Sequence, residues 1–157
     1  MLIPLRNYSH YSICESNIKI DDLINYASKK NLPAIALTDY KLLSGALEFS
    51  IKAYKKGIQP IIGLDIDYID ELKRTSRLTL LSKNLIGYSN LCKLSTEFNT
   101  NPDFILDISN IKNYSSGLVL ICGGLYSIFD GLGFDDKYLQ ILNIELGKLK
   151  SFFNNDI

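Results

Sequence analysis

Short apolar runs separated by stretches of helical periodicity constrain this chain more than any other feature. Residues 34–38, 59–65, 78–82 and 117–122 have strand length and near-continuous apolar character, the mark of strands covered on both faces. Pro60 fits only the first residues of its run. Asp21 and Asp22 precede Leu23, Ile24 and Ala27, and Lys29 and Lys30 follow. That charge order suits a helix dipole, and Asn31-Leu32-Pro33 stops the helix. Residues 45–56 form the next helix, with Leu47, Ile51 and Tyr54 at i, i+4, i+7 as its apolar stripe and Gly57 as its stop. Residues 86–98 place Tyr88, Leu91, Leu94 and Phe98 on one side of a third. Asp135 or Asp136 opens the last helix, on which Leu139, Leu142, Leu146, Leu149 and Phe153 recur at helical spacing. Gly147 weakens it by about 1 kcal/mol relative to Ala. Residues 70–76 read as a short charged connection, 99–116 as irregular, and Gly131-Leu132-Gly133 as a turn.

The alternation predicts an α/β fold, mostly parallel strands alternating with helices through right-handed crossovers. It leaves open a doubly wound sheet or part of a barrel. Another strand is expected where Asn154-Asn155-Asp156-Ile157 follows the last helix, so the chain reads as a piece of something longer.

The bulk numbers narrow the function. The 157 residues, 46% hydrophobic, suit one domain with a core. Seventeen basic and 17 acidic residues give zero net charge, which argues against a domain that grips a nucleic-acid backbone by itself. The three cysteines, Cys14, Cys92 and Cys122, form no CxxC pair. Neither a zinc knuckle nor a disulfide framework is indicated, and a reduced, cytoplasmic setting is expected. The start has no signal-peptide pattern, and no apolar run approaches membrane-span length.

Four places could carry chemistry. Arg6-Asn7-Tyr8-Ser9-His10, with Glu15, is a polar cluster after an apolar stretch read as a strand; a solvated loop is the plainer reading. Asp39, in Thr38-Asp39-Tyr40, is an acid at a strand end, where α/β folds place sites; capping the following turn is its alternative role. Asp65, in Gly63-Leu64-Asp65, is a second such acid, followed by Asp67 and Asp70, which read as surface charges. Arg77 flanks the run 78–82, where a cation is usually solvated. Glu15, Asp39 and Asp65 together could hold one hard cation such as magnesium. With a single histidine, His10, an imidazole-rich metal cluster is out of reach. No G-x-S-x-G, Walker A or dinucleotide-binding glycine pattern occurs.

These segments in order resemble the amino-terminal PHP (polymerase and histidinol phosphatase) domain of bacterial DNA polymerase III alpha subunits. The series runs Pro4-Leu5-Arg6-Asn7-Tyr8-Ser9-His10-Tyr11-Ser12-Ile13-Cys14-Glu15, Lys19-Ile20-Asp21-Asp22-Leu23, Leu32-Pro33-Ala34-Ile35-Ala36-Leu37-Thr38-Asp39-Tyr40 and Gly45-Ala46-Leu47-Glu48-Phe49. It continues through Lys55-Lys56-Gly57-Ile58-Gln59-Pro60-Ile61-Ile62-Gly63, then Leu80-Leu81-Ser82-Lys83-Asn84 and Gly87-Tyr88-Ser89-Asn90-Leu91-Cys92-Lys93-Leu94. The resemblance implies a partial (βα)7-type barrel, with residues 1–157 the amino-terminal portion of a single PHP domain and the polymerase domains absent. It implies partners too: the rest of the alpha subunit, a proofreading exonuclease subunit, and DNA only through the full-length protein, which uses Mg2+. No membrane is expected.

The departures set the expected role. Active members of the family hold metals with histidines and acids at positions that here are Arg6, Tyr8, Glu15, Tyr40, Asp65 and Arg77. The acids persist in type and every imidazole is replaced. Arg cannot ligate a metal and Tyr is a poor ligand at neutral pH. Arg6 and Arg77 are expected to pair with Glu15 and Asp65, giving a degenerate metal site, no resident cofactor and no confident catalytic residue. A scaffold that docks the exonuclease is the expected function. The alternative is a metal-dependent phosphoesterase or 3′–5′ exonuclease using Glu15, Asp39 and Asp65; a nonfunctional gene fragment is a third reading.

Overall fold

A computed structural model describes residues 2–124, 126–130, 136–154 and 156, without the Lys137 side chain. The turn expected at Gly131-Leu132-Gly133, the helix opener Asp135, and Asn155 and Ile157 lie outside the described residues. The chain divides into two compact units, Met1–Asp65 and Ile66–Ile157.

The first unit holds helix α1 (Ile20–Lys29), strand β1 (Ala34–Leu37), helix α2 (Ala46–Lys55) and the first part of strand β2 (Gln59–Ile69). β1 pairs in parallel with β2, Ala34 facing Gln59 and Leu37 facing Ile62. This is the strand–helix–strand unit that the alternation predicts. α1 carries Asp21 and Asp22 in its first turn and Lys29 in its last, and buries Ile20, Leu23, Ile24 and Ala27. Asn31, at φ 52°, turns the chain after it. Those four residues pack with Ile35, Leu37, Phe49, Ala53 and Ile58 into the core of this unit.

α2 turns its expected stripe outward. Leu47 is 73% exposed, Tyr54 82% and Ile51 46%; the buried residues are Ala46, Phe49 and Ala53. One Phe flanked by alanines lets the helix lie close over α1 and β1, so small side chains mark its inner face and the larger ones point away.

The amino-terminal stretch is extended but is not a regular strand. Ala36 N donates to Pro4 O (3.1 Å) and Thr38 N to Asn7 O (2.8 Å). Pro4 has no N–H to give back. The Asn7 amide substitutes, Nδ2 donating to Ala36 O (2.9 Å) and Pro4 O (3.2 Å).

The second unit contains the end of β2, then β3 (Thr75–Ser82), helix α3 (Leu85–Thr100), a single 3-10 turn (Ile111–Asn113), β4 (Leu118–Ile121) and helix α4 (Asp136–Phe152). Its strands lie in the order β2, β3, β4. β3 and β4 are antiparallel, Thr79 facing Ile121 and Ser82 facing Leu118. Strict alternation fails here because no helix separates β2 from β3.

The charged residues 70–74 make that link, and Asp70 is no surface charge: it is 2% exposed. Its Oδ1 accepts from Leu72 N (2.9 Å) and Arg74 N (2.8 Å), and its Oδ2 meets the Arg74 guanidinium at 2.7 and 2.8 Å. Arg74 also donates to the carbonyls of Ile128 and Asp130. The carboxylate is buried because the turn folds around it.

Asn84 caps α3, its side chain accepting from Gly87 N. Gly87 is needed for close approach: a Cβ there would lie 1.9 Å from Gly117 O. Gly87→Ala is expected to destabilise the chain by about 1–3 kcal/mol, as overpacking does, despite the better helix propensity of Ala. Gly147→Ala, whose Cβ meets nothing within 4 Å, is expected to gain up to about 1 kcal/mol. Urea denaturation of both variants checks the pair.

On α4, Leu142, Leu149 and Phe153 are buried, and so is Glu145. Glu145 accepts from Tyr68 Oη (2.6 Å) and from Glu71 N (3.3 Å to each oxygen). Burial raises its pKa above the ordinary 4.5, against the lowering effect of the Tyr68 hydrogen bond. A raised carboxyl pKa stabilises the fold fully below the unfolded value and loses that contribution as pH rises through the folded value. Glu145→Gln is therefore expected to gain in Tm relative to the parent chain as pH rises from about 4.5, the ordinary carboxyl value, towards neutrality, read by melts across that range. Glu145→Ala, which strips Tyr68 of its acceptor, is expected to cost about 1–3 kcal/mol.

Candidate functional site

Two acids of the first unit lie side by side, one just past β1 and one within β2. Asp39 follows β1. Asp65 lies in β2, where it forms a parallel bridge with Tyr40, and Asp65 N donates to Asp39 O (3.1 Å). Both carboxylates are essentially inaccessible to water. A charge in that position requires donors, and the amino-terminal segment supplies them.

Asp39 is met by serines. Its Oδ1 accepts from Ser9 N (2.6 Å) and Ser12 Oγ (2.6 Å), and its Oδ2 from Ser9 Oγ (2.7 Å). Ser12 Oγ also accepts from Tyr40 N (3.0 Å). Asp39 therefore ties the loop 9–12 to the end of β1; it does not cap the turn that follows it. Ser9 and Ser12 are central to this arrangement; Ser9 belongs to the polar cluster picked out in the sequence, and Ser12 was not singled out. Their signal is the Ser-x-x-Ser spacing in the loop that precedes α1.

Asp65 is met by Arg6 and Tyr8. Arg6 Nη2 donates to Asp65 Oδ2 (2.8 Å) and to Tyr8 Oη (2.8 Å), and Tyr8 Oη donates to Asp65 Oδ2. The guanidinium carbon lies 5.6 Å from the Tyr8 ring centroid. The three side chains form a closed triangle of one cation, one anion and one neutral phenol. Burial pushes the Tyr8 phenol up to about 12, reinforced by its bond to Asp65, so it stays protonated at neutral pH. For Arg6, burial works against the cation, but Asp65 outweighs it and the pKa rises.

Glu15 sits on an exposed stretch of loop. Tyr40 is half-buried, and Lys41 Nζ lies 4.9 Å from its ring centroid. His10 is exposed, its ring 4.4 Å from that of Tyr11. Arg77 belongs to the second unit, where its Nε is 3.9 Å from Asp67 and its guanidinium lies over the Tyr126 ring. Asp67 is thus an ion-pair partner rather than a plain surface charge.

A metal ion does not fit these residues. Arg6 puts a fixed positive charge on Asp65, Tyr8 holds its proton, and three donors occupy Asp39. Among the described residues, no group of three or more His, Cys, Asp or Glu side chains is placed to hold a metal ion; Glu15, Asp39 and Asp65 do not make one. Cys14, Cys92 and Cys122 are free thiols, and burial pushes Cys122 up to about 12. No helix among the described residues is long and apolar enough to cross a membrane.

A parallel pair of strands presenting two buried acids to an amino-terminal segment that crosses them defines an α/β domain. Residues 4–156 match the PHP domain family, and the chain belongs to it. It is similar to curated proteins named DNA polymerase III subunit alpha. That of Rickettsia felis is 37% identical over 124 residues, 76% of this chain and 10% of the relative. Those of Borreliella burgdorferi and Chlamydia pneumoniae are each 34% identical over 98% of this chain, which covers 14% and 13% of their lengths. The chain thus spans about a tenth to a seventh of the relatives it matches. Among solved structures, an amidohydrolase from Chromobacterium violaceum, with bound sulfate and no metal, aligns at TM-score 0.52 and 18% identity. The alignment covers 72% of this chain and 37% of that one, a likeness of fold consistent with a partial barrel.

Asp65→Ala is expected to cost about 2–4 kcal/mol, since it leaves a guanidinium without its buried partner. The lower part of that range is favoured because Arg6 keeps 21% of its side chain in water. Arg6→Ala combined with Asp65→Ala is expected to cost less than the sum of the two single changes, and Tyr8→Phe about 1 kcal/mol. A double-mutant cycle by chemical denaturation measures the coupling.

Proposed function

We propose that this chain is the amino-terminal portion of a PHP domain belonging to a DNA polymerase III alpha subunit, and that it acts as a non-catalytic scaffold. One observation carries the reading: the Arg6–Tyr8–Asp65 triangle. It occupies the positions where the family resemblance expects metal-binding imidazoles and an acid, and it satisfies the acid with a guanidinium and a protonated phenol. In that triangle Asp65 serves as the acceptor of an ion pair and a phenol hydrogen bond, which supports a structural role over a hydrolytic one. Nucleotidyl transfer, with its Mg2+ ions and its DNA, belongs to the rest of the polymerase. The domain supports that polypeptide and offers a surface to the proofreading exonuclease subunit, in the cytoplasm where replication takes place. The curated names of the relatives support the polymerase assignment, and the zero net charge of the chain fits a domain that does not bind DNA unaided.

The test is metal analysis and catalysis on the same preparation. After incubation with Mn2+, Zn2+ or Mg2+ and desalting, the chain is expected to retain substoichiometric metal. It is expected to leave a phosphate monoester and a 3′-terminated oligonucleotide unhydrolysed. Stoichiometric metal together with turnover abolished by Asp65→Asn would establish the phosphoesterase reading instead.

A further inference from the structure

We propose that the outer face of α2, together with the lysines at the carboxyl ends of α1 and α2, docks an acidic amphipathic helix of a partner protein. The inference rests on the scaffold reading for its expectation of a protein partner. It adds the face, the chemistry and the direction of what binds there.

Leu47, Ile51 and Tyr54 form an i, i+4, i+7 stripe that α2 turns to water, since Ala46, Phe49 and Ala53 take its inner face. Lys55 extends the stripe, four residues after Ile51. The charge beside it is one-sided. The stretches 23–38 and 49–64 hold Lys29, Lys30, Lys52, Lys55 and Lys56 and no Asp or Glu. Strand register brings the ends of the two helices together. α1 leads to Ala34, which faces Gln59 just after α2, and Gln59 N donates to Pro33 O (2.9 Å). Lys29, Lys30, Lys55 and Lys56 are exposed there, and among the described residues none of the four pairs with a carboxylate. The acids of these helices, Asp21, Asp22 and Glu48, stand in the opposite first turns. Lys52 takes Asp21 (2.6 Å) and Glu48 (2.7 Å). A lysine in a last turn complements a helix dipole. Four unpaired lysines on a chain of zero net charge go further and leave a local field that attracts an anion.

The pairing of stripe and field selects among anions. A nucleic-acid strand offers phosphates to the lysines but no aliphatic side chain to lay on Leu47 and Ile51. An acidic amphipathic helix offers both, with apolar residues at helical spacing for the stripe and carboxylates for the lysines. Direction follows from charge. Acids concentrate in the first turn of a helix. A partner helix antiparallel to α2 places that turn at Lys55 and Lys56 and runs its apolar residues back towards Leu47. A second copy of this chain is the poorer occupant, because Lys52 already holds Asp21 and Glu48.

The experiment titrates the full chain into a fluorescein-labelled peptide of about 15 residues, long enough for a helix in water, and reads anisotropy. The peptide carries Glu in its first turn and Leu at i, i+4 and i+7. Saturable binding is expected. It is expected to weaken by about tenfold or more in Leu47→Ser combined with Ile51→Ser, and by about threefold to tenfold in Lys55→Glu combined with Lys56→Glu. Added salt is expected to weaken binding to the parent chain. A peptide with Lys in place of its Glu residues is expected to prefer the Lys55→Glu, Lys56→Glu chain to the parent, a reversal that a folding defect would not produce. Equal binding by a peptide whose Leu residues are scattered around the helix would overturn the proposal. So would tighter binding of a single-stranded oligonucleotide, or a dimer of the chain that Leu47→Ser with Ile51→Ser dissolves. Stoichiometric metal with turnover would end the non-catalytic reading without touching peptide binding, and loss of peptide binding would leave the metal result as it stands.

Discussion

A carboxylate withdrawn from water must be surrounded by donors, and that requirement shapes both units of this chain. In the first, Asp39 just past β1 and Asp65 within β2 lie side by side with almost no exposure. Their donors come from the segment spanning Arg6 to Ser12, which is why that segment crosses the strand ends instead of pairing along β1 as a full strand. In the second, Asp70 is wrapped by its own turn through Arg74, and Glu145 is met by Tyr68 and the Glu71 N–H. Among the described residues, no buried side-chain nitrogen or oxygen is left without a partner. A polar group this deep without a partner would cost more than a typical surface contact returns, so the acids dictate where the loops go.

The elements were largely legible because their signals are local. Acids before and bases after the apolar residues of α1, and the apolar runs of β1 and β4, each state their own role. Burial was less legible. On α2, Leu47, Ile51 and Tyr54 make the stronger hydrophobic stripe, yet Ala46, Phe49 and Ala53 face the core. Close helix packing rewards small residues, which a count of apolar bulk undervalues. Asp70 misled for the opposite reason, and Glu145 drew no reading at all. Their burial depends on partners remote in sequence or on a backbone turn, neither of which composition reveals. Glu145 did leave a trace, since it stands three residues after Leu142 and four before Leu149, on the inward face of α4.

The site was legible in membership and not in arrangement. Arg6, Tyr8 and Asp65 were singled out by the family pattern, and the structure brings them within hydrogen-bonding distance. Glu15 lies on an exposed part of the loop, and Asp39, proposed as a ligand, is held by Ser9 and Ser12. The parallel pairing of β1 with β2 is what brings Asp65 to the amino-terminal segment, and chain order alone does not reveal it.

What the triangle changes is where the compensating charge comes from. An imidazole-and-carboxylate cluster is incomplete until an ion arrives, so its stability depends on metal supply and on pH through the histidines. Here the positive charge is covalently part of the chain and does not titrate in any ordinary pH range. Tyr8 is the necessary third member. Arg6 alone could neutralise Asp65, but the buried oxygen has room for more than one donor. A phenol held well above its ordinary pKa donates without adding a second charge. A second arginine in its place would leave one cation in excess in a half-buried pocket, and a histidine would bring back a titrating group. The combination of guanidinium and phenol closes the strand ends at fixed charge, which is what a domain needs if its strand ends serve as architecture.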